Sequence, residues 1–252
     1  PDIAILDSPD HASYATMGIF EELTGKFDVD SYYDGAVNSC TLDGKLYGVP
    51  FGVNCLGLYY NEDMLNAAGC SVPTTWDELM ETAKAVTTDS VSGLAFCSVQ
   101  NEEGTFNFTP WLWSTGASSY EMDSKGGIKA LTFAKELIDS GVMSKECINW
   151  TQGDVMNQFI AGNVAMMVNG PWQIPTMQSE APDLNWKVTL IPKDTEYASC
   201  LGGENYAVVK GGNTEGALDF LEYATEEDQV KYMMDAFGYI SANRTIAESQ
   251  FK

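Results

Sequence analysis

The side chains of this 252-residue chain that could do chemistry fall into two sets, aromatic rings at the ends of elements and acids or hydroxyls beside strands. Phe106, Phe108, Trp111 and Trp113 crowd one helix start, Trp150 precedes a helix cap, and Trp172 stands at a strand-to-helix turn in Asn169-Gly170-Pro171-Trp172. Asp7 and Ser8 follow the first strand-like run, Asp2-Ile3-Ala4-Ile5-Leu6. Flat aromatic faces beside paired hydrogen-bonding groups are what a polyhydroxylated ligand with apolar C–H faces requires. Each of these residues also has a structural reading. Phe108 and Trp111 share a helical face and read as neighbours in a core, which leaves Phe106 as the exposed ring of that group. Trp150 and Trp172 can be core residues, and Asp7 or Ser8 can cap the following helix and do nothing more. Trp76, inside a capping box, and Trp186, just before a strand, read as structural.

Other chemistries have less to work with. His11 is the one histidine, so a zinc site or a Ser-His-Asp triad would rest on a single residue. The six cysteines, at 40, 55, 70, 97, 147 and 200, show no C-x-x-C spacing. Buried free thiols and up to three disulfides in an exported protein both remain open. Glycoside hydrolysis needs two carboxylates, for which Asp7, Asp154 and Glu204 are available, but no spacing selects a pair. Asp28, Asp30 and Asp34-Gly35 fail the calcium-loop pattern and read as a solvated acidic turn. No cofactor is implied. With 13 Lys and Arg against 36 Asp and Glu, a net charge of -23 disfavours nucleic acid, anionic membrane surfaces and phosphate-bearing ligands. No apolar run approaches the roughly 20 residues that span a bilayer.

The elements that must position these groups are well punctuated. Asp43-Gly44 is a turn signal, read with two strand-like segments, Lys45 to Pro50 and Asn54 to Tyr60, rich in Leu, Val, Phe and Tyr. Asn61 offers an N-cap to a helix carrying Glu62 and Asp63 in its first turn and ending at Gly69. Thr75-Trp76-Asp77-Glu78 is a capping box that starts a second helix, running to about Thr88. Elsewhere the pattern predicts a buried opening strand, a helix from Ser8-Pro9 to Gly18, and a strand over Gly93 to Cys97. It further predicts helices over Asn107 to Ser114 and from Ser124 to Ile138, a helix capped by Thr151, and a strand over Val164 to Val168. A proline-initiated helix comes next at Pro171, then strands over Lys187 to Leu190 and Tyr206 to Val209, and helices from Thr214 and Thr225. Strands that lead straight into helices indicate α/β architecture.

Four blocks carry a resemblance. Asp2-Ile3-Ala4-Ile5-Leu6-Asp7-Ser8, the run from Asp43 to Leu79, the run from Phe159 to Trp172, and Leu201-Gly202-Gly203-Glu204-Asn205-Tyr206-Ala207 occur in the order found in bacterial extracellular solute-binding proteins of the maltose-binding type. The resemblance implies a type II periplasmic-binding-protein fold whose two lobes are each a mixed sheet flanked by helices. It places chain crossings near Phe51 to Leu56, Cys200 to Asn205 and Gly238 to Asn243. The expected lobes are 1–54 with 206–240, and 55–205 with 241–252. It also implies a signal or lipoprotein sequence, a strand and a helix before Pro1, and further helices after Lys252.

In function, the resemblance implies a non-enzymatic, monomeric, extracellular or periplasmic protein. It would hold a di- or oligosaccharide between its lobes and hand it to the membrane permease subunits of an ABC importer. A glycerol phosphate ester is the alternative cargo within the fold, and a glycoside hydrolase the alternative from another class. The candidate ligand-binding residues are Asp7, Ser8, Asn54, Phe106, Trp150, Trp172, Glu204 and Tyr239, and the resemblance implies the stacking position for Trp172. Leu6 and Asn54 stand where the maltose binders have an aromatic and an acid, which argues against a maltose-specific assignment. Micromolar affinity needs about -8.2 kcal/mol. One ring face covering about 60 Å² supplies roughly 1.5 kcal/mol. Several platforms and hydrogen bonds must therefore act together.

Overall fold

In the computed structural model, which describes residues 1–250, the chain opens with β1 (Ile3–Asp7), α1 (Ser8–Thr16), α2 (Asp34–Ser39), the hairpin β2 (Thr41–Leu42) and β3 (Lys45–Leu46), and β4 (Val49–Cys55). The hairpin turns on Asp43 and Gly44 at φ 50° and 74°, the left-handed pair that a two-residue connection needs. Next come β5 (Gly57–Asn61), α3 (Glu62–Ala67), α4 (Trp76–Val86), α5 (Glu102–Ser114), α6 (Lys125–Asp139), α7 (Gln152–Ile160), β6 (Met166–Asn169), α8 (Ile174–Glu180) and β7 (Trp186–Thr189). The chain finishes with β8 (Leu201–Val208), α9 (Thr214–Ala224), α10 (Glu227–Phe237), β9 (Ile240–Ser241) and α11 (Arg244–Gln250). This is a mixed α/β protein of two units, Pro1–Asn54 with Leu201 onward, and Cys55–Cys200.

The first unit is built on a four-stranded sheet in the order β1-β8-β4-β9. β1 runs antiparallel to β8, and β9 antiparallel to β4. Leu23, Val53, Val208, Leu221, Met234 and Ile246 form its core. Two expectations need correction in this unit. β1 is an edge strand, not a buried one, and leaves Ile5 55% exposed. The segment from 241 onward, expected in the second lobe, belongs to the first unit. Gly52 and Val53 pair with Ser241 and Ile240, Ile246 enters the core, and Arg244 makes an ion pair with Asp34 at 2.7 Å. Residues 201–205 join it as well, as part of β8, which lies between β1 and β4 in this sheet. The last two residues of the expected second-lobe segment, Phe251 and Lys252, lie outside the described residues.

The second unit has a three-stranded antiparallel sheet, β6-β5-β7, packed among α3 to α8. Four of its helices, α3, α4, α6 and α7, start where the sequence says they should. Asn61 accepts from the Met64 amide at 3.0 Å, and Ser124 from that of Gly127 at 3.2 Å. Thr75 with Glu78 and Thr151 with Asp154 close full capping boxes. α5 begins five residues before its predicted start, with Asn101 as its cap. The run Gly93 to Cys97 is buried but makes only isolated bridges, Ser92 with Val164 and Ala95 with Met167, so it is not a full strand. The proline at 171 opens a short 3-10 turn, Pro171–Gln173, before α8. All six cysteines are free thiols, and only Cys55 is exposed.

Candidate functional site

The acids fall in the first unit. Asp7 ends β1 at the N-cap position of α1, yet its carboxylate makes no capping hydrogen bond. It stands directly across the β1–β8 ladder from Glu204. Residues in that relation carry their side chains on the same face with Cβ atoms about 5 Å apart, and like charges there repel. Glu204 is half-buried. Its Oε1 accepts from the Tyr239 hydroxyl at 2.7 Å, while its Oε2 is buried with no hydrogen-bond partner. Burial is the main reason that the Glu204 carboxyl is pushed up to about 7, with Asp7 adding to the shift and the Tyr239 bond opposing it. Asp7 is raised as well, first by burial and then by Asp10. The result is a carboxyl pair with an unfilled acceptor, able to take hydrogen bonds from hydroxyl groups.

The neighbouring backbone holds this pair in place. Gly203 has φ 145°, and a Cβ there would run into the Gly52 carbonyl, so β8 and β4 approach closely only because this residue is glycine. The Ser8 hydroxyl donates to the Gly203 carbonyl at 2.7 Å, which ties the start of α1 to β8. Ser8 is thus engaged with backbone, and Asn54, at 6% exposure, is buried in the same unit.

The aromatic candidates lie in the second unit, where all six tryptophans of the chain fall between 55 and 200. Trp111 is 1% exposed and packs with Trp76, Phe96 and Phe133, so it is core. Phe106 and Trp172 are half-buried instead, with ring centroids 6.4 Å apart and planes inclined by 48°. Two inclined faces rimmed by one hydrophobic cluster form a platform for an apolar ligand surface. Trp150 is half-buried between the two hydrophobic clusters of this unit. Asp154 is occupied by its capping box, where hydrogen bonds from Thr151 hold its carboxyl below the ordinary range.

Two supporting residues were not signalled as functional by the sequence. The Tyr59 hydroxyl donates to the Gly170 carbonyl at 2.9 Å, and the Gly170 amide donates to Asn169 Oδ1 at 3.0 Å. Together they fix the turn that carries Trp172. The Gly-Pro-Trp sequence hinted at a turn, but the contact from Tyr59, 111 residues earlier, left no local trace.

Residues 1–252 match the family of bacterial extracellular solute-binding proteins over their whole length. The chain belongs to that family. It is 28% identical over 267 residues to the lactose-binding protein of Rhizobium radiobacter, an alignment covering 97% of this chain and 62% of that relative. It is 24% identical over 233 residues to the maltooligosaccharide ABC transporter solute-binding lipoprotein of Streptococcus pneumoniae (strain ATCC BAA-255 / R6), covering 82% of this chain and 52% of the relative. Its fold superposes with a TM-score of 0.90 on the maltose-bound MalE3 of T. maritima, at 26% identity, over 98% of this chain and 67% of that one. The chain spans less than two thirds of the length of these curated relatives. Among the described residues, the candidates that come together are the Asp7-Glu204-Tyr239 group and the Phe106-Trp172 pair.

Proposed function

We propose that this protein captures a carbohydrate, a di- or oligosaccharide, reversibly and without turnover, and delivers it to the permease subunits of an ABC importer outside the cytoplasmic membrane. The observation that carries the reading is the inclined Phe106-Trp172 pair, half-buried on a hydrogen-bonded turn and ready to receive the C–H face of a sugar ring. Relatives named for lactose and maltooligosaccharide binding, one of them a lipoprotein of an ABC transporter, support the cargo class, the partner and the extracellular site. Within the first unit, Asp7, Glu204 and Tyr239 form a separate group able to accept hydrogen bonds from hydroxyls, with Ser8 tied to β8 beside them. Trp150 would support the platform from its flank. The protein acts as a monomer in this reading. The candidate groups include no Lys or Arg, which argues against a phosphate ester as cargo.

Titration calorimetry against maltose, lactose and galactooligosaccharides, combined with an assay for new reducing ends, tests the proposal. Saturable binding without new reducing ends is expected. No binding by any of these sugars, or turnover lost in Glu204→Gln, would overturn it.

A further inference from the structure

Gly170 differs from the chain's turn glycines, because its φ of -107° and ψ of 172° are extended backbone that any residue adopts. Conformation therefore does not require glycine at 170. Space does. A Cβ built there falls far inside contact distance of Cε3, Cζ3 and Cη2, the outer atoms of the six-membered ring of the Trp172 indole. The indole thus lies across the bare Cα of Gly170. The seat beneath it is fixed from two sides. The Gly170 carbonyl is held by the hydroxyl of Tyr59, which is 2% exposed and packs against Trp186 at 5.8 Å. The Gly170 amide is held by Asn169, a fully buried residue whose Nδ2 donates to the Gln152 carbonyl at the start of α7 at 2.9 Å. Phe106 flanks the indole. The ring has the Gly170 backbone on one side and the tilted Phe106 ring on another.

We infer that Gly170 and Tyr59 are positioning residues that hold the Trp172 indole in its ligand-receiving pose, so that residue 170 governs sugar affinity through the ring it seats. This rests on the carbohydrate reading above. A methyl group at 170 has to displace the indole, and preorganised contacts lose affinity steeply when the group that makes them is moved.

The test is a mutant cycle on the full chain, Gly170→Ala in the natural background and in Trp172→Phe, whose smaller ring lacks the outer indole atoms that meet the methyl. Affinities for maltose, lactose and galactooligosaccharides are measured by calorimetry, and the near-ultraviolet circular dichroism of each variant is recorded without ligand. Far-ultraviolet melts report whether each variant is folded. The inference predicts that Gly170→Ala lowers affinity about tenfold or more with Trp at 172 and less than about twofold with Phe there. It also predicts that Gly170→Ala alters the near-ultraviolet spectrum only in the Trp172 background. An equal loss in both backgrounds would show a general structural effect and overturn it, as would no loss in either. If none of the sugars binds the unmodified protein, the carbohydrate reading fails separately. The spectra then decide the positioning claim, which a change in both backgrounds or in neither would refute. A variant that fails to fold is replaced by Tyr59→Phe, which removes only the hydroxyl bond to Gly170. It is expected to weaken binding threefold or more with Trp at 172 and to have no effect with Phe there, and equal effects would refute the inference.

Discussion

Glutamine at position 204 tests the reading of the acidic group most sharply, because the direction of its effect is opposite to that of an ordinary ion-pair deletion. The Glu204 carboxyl is raised from 4.5 to about 7. A group whose folded pKa lies above its unfolded value contributes stability that is fully present below the unfolded value and is lost as pH rises through the folded one. For Glu204 the loss falls between about pH 4.5 and about 7. At 1.36 kcal/mol per pH unit the full shift corresponds to about 3 kcal/mol. Glu204 is only half-buried, so solvent screening brings the expectation to about 1–2 kcal/mol. Glutamine keeps an oxygen to accept the Tyr239 hydroxyl and supplies an N–H toward Asp7. Urea unfolding followed by far-ultraviolet circular dichroism is the suitable assay, since the tryptophans all report the other unit. Glu204→Gln is expected to match the natural protein near pH 4 and to be more stable by about 1–2 kcal/mol near pH 8. A variant less stable at pH 8, or a difference that does not change with pH, would refute the argument that burial beside Asp7 strains this carboxylate.

Two further outcomes concern the scaffold. Thr75→Ala removes one half of a capping box and should cost about 1 kcal/mol in urea unfolding followed by tryptophan fluorescence, with Trp76 adjacent as a reporter. Gly203→Ala combines a φ that L-residues rarely adopt with a collision against the Gly52 carbonyl, so it should destabilise the first unit by about 2–4 kcal/mol in thermal melts, and an unchanged melt would contradict the close β4–β8 approach.

Features written into neighbouring residues were legible in the sequence. The caps at Asn61, Thr75, Ser124 and Thr151, the turn at Asp43-Gly44 and the turn before Trp172 each depend on side chains within a few positions of the backbone they serve. Features fixed by distant pairing were not. The edge position of β1 and the placement of residues from 241 onward depend on which strand finds which partner, as do the pairing of Asp7 with Glu204 across 197 residues and the seat that Tyr59 provides for Gly170. The candidate residues could be named individually, because type and position at element ends suggested them. Their grouping could not. That Asp7 is free of its helix and faces a partly buried acid, while Asp154 is consumed by a cap, depends on hydrogen bonds formed only in the folded chain.

The central claim is that a sugar ring rests on the Phe106-Trp172 platform, and the most direct measurement is the calorimetric affinity for the tightest-binding sugar before and after Phe106→Ala and Trp172→Ala. Each stacked face contributes about 1.5 kcal/mol, so each substitution should weaken binding about tenfold in a protein that the far-ultraviolet melt still shows to be folded. Affinity that survives both substitutions intact would contradict the account.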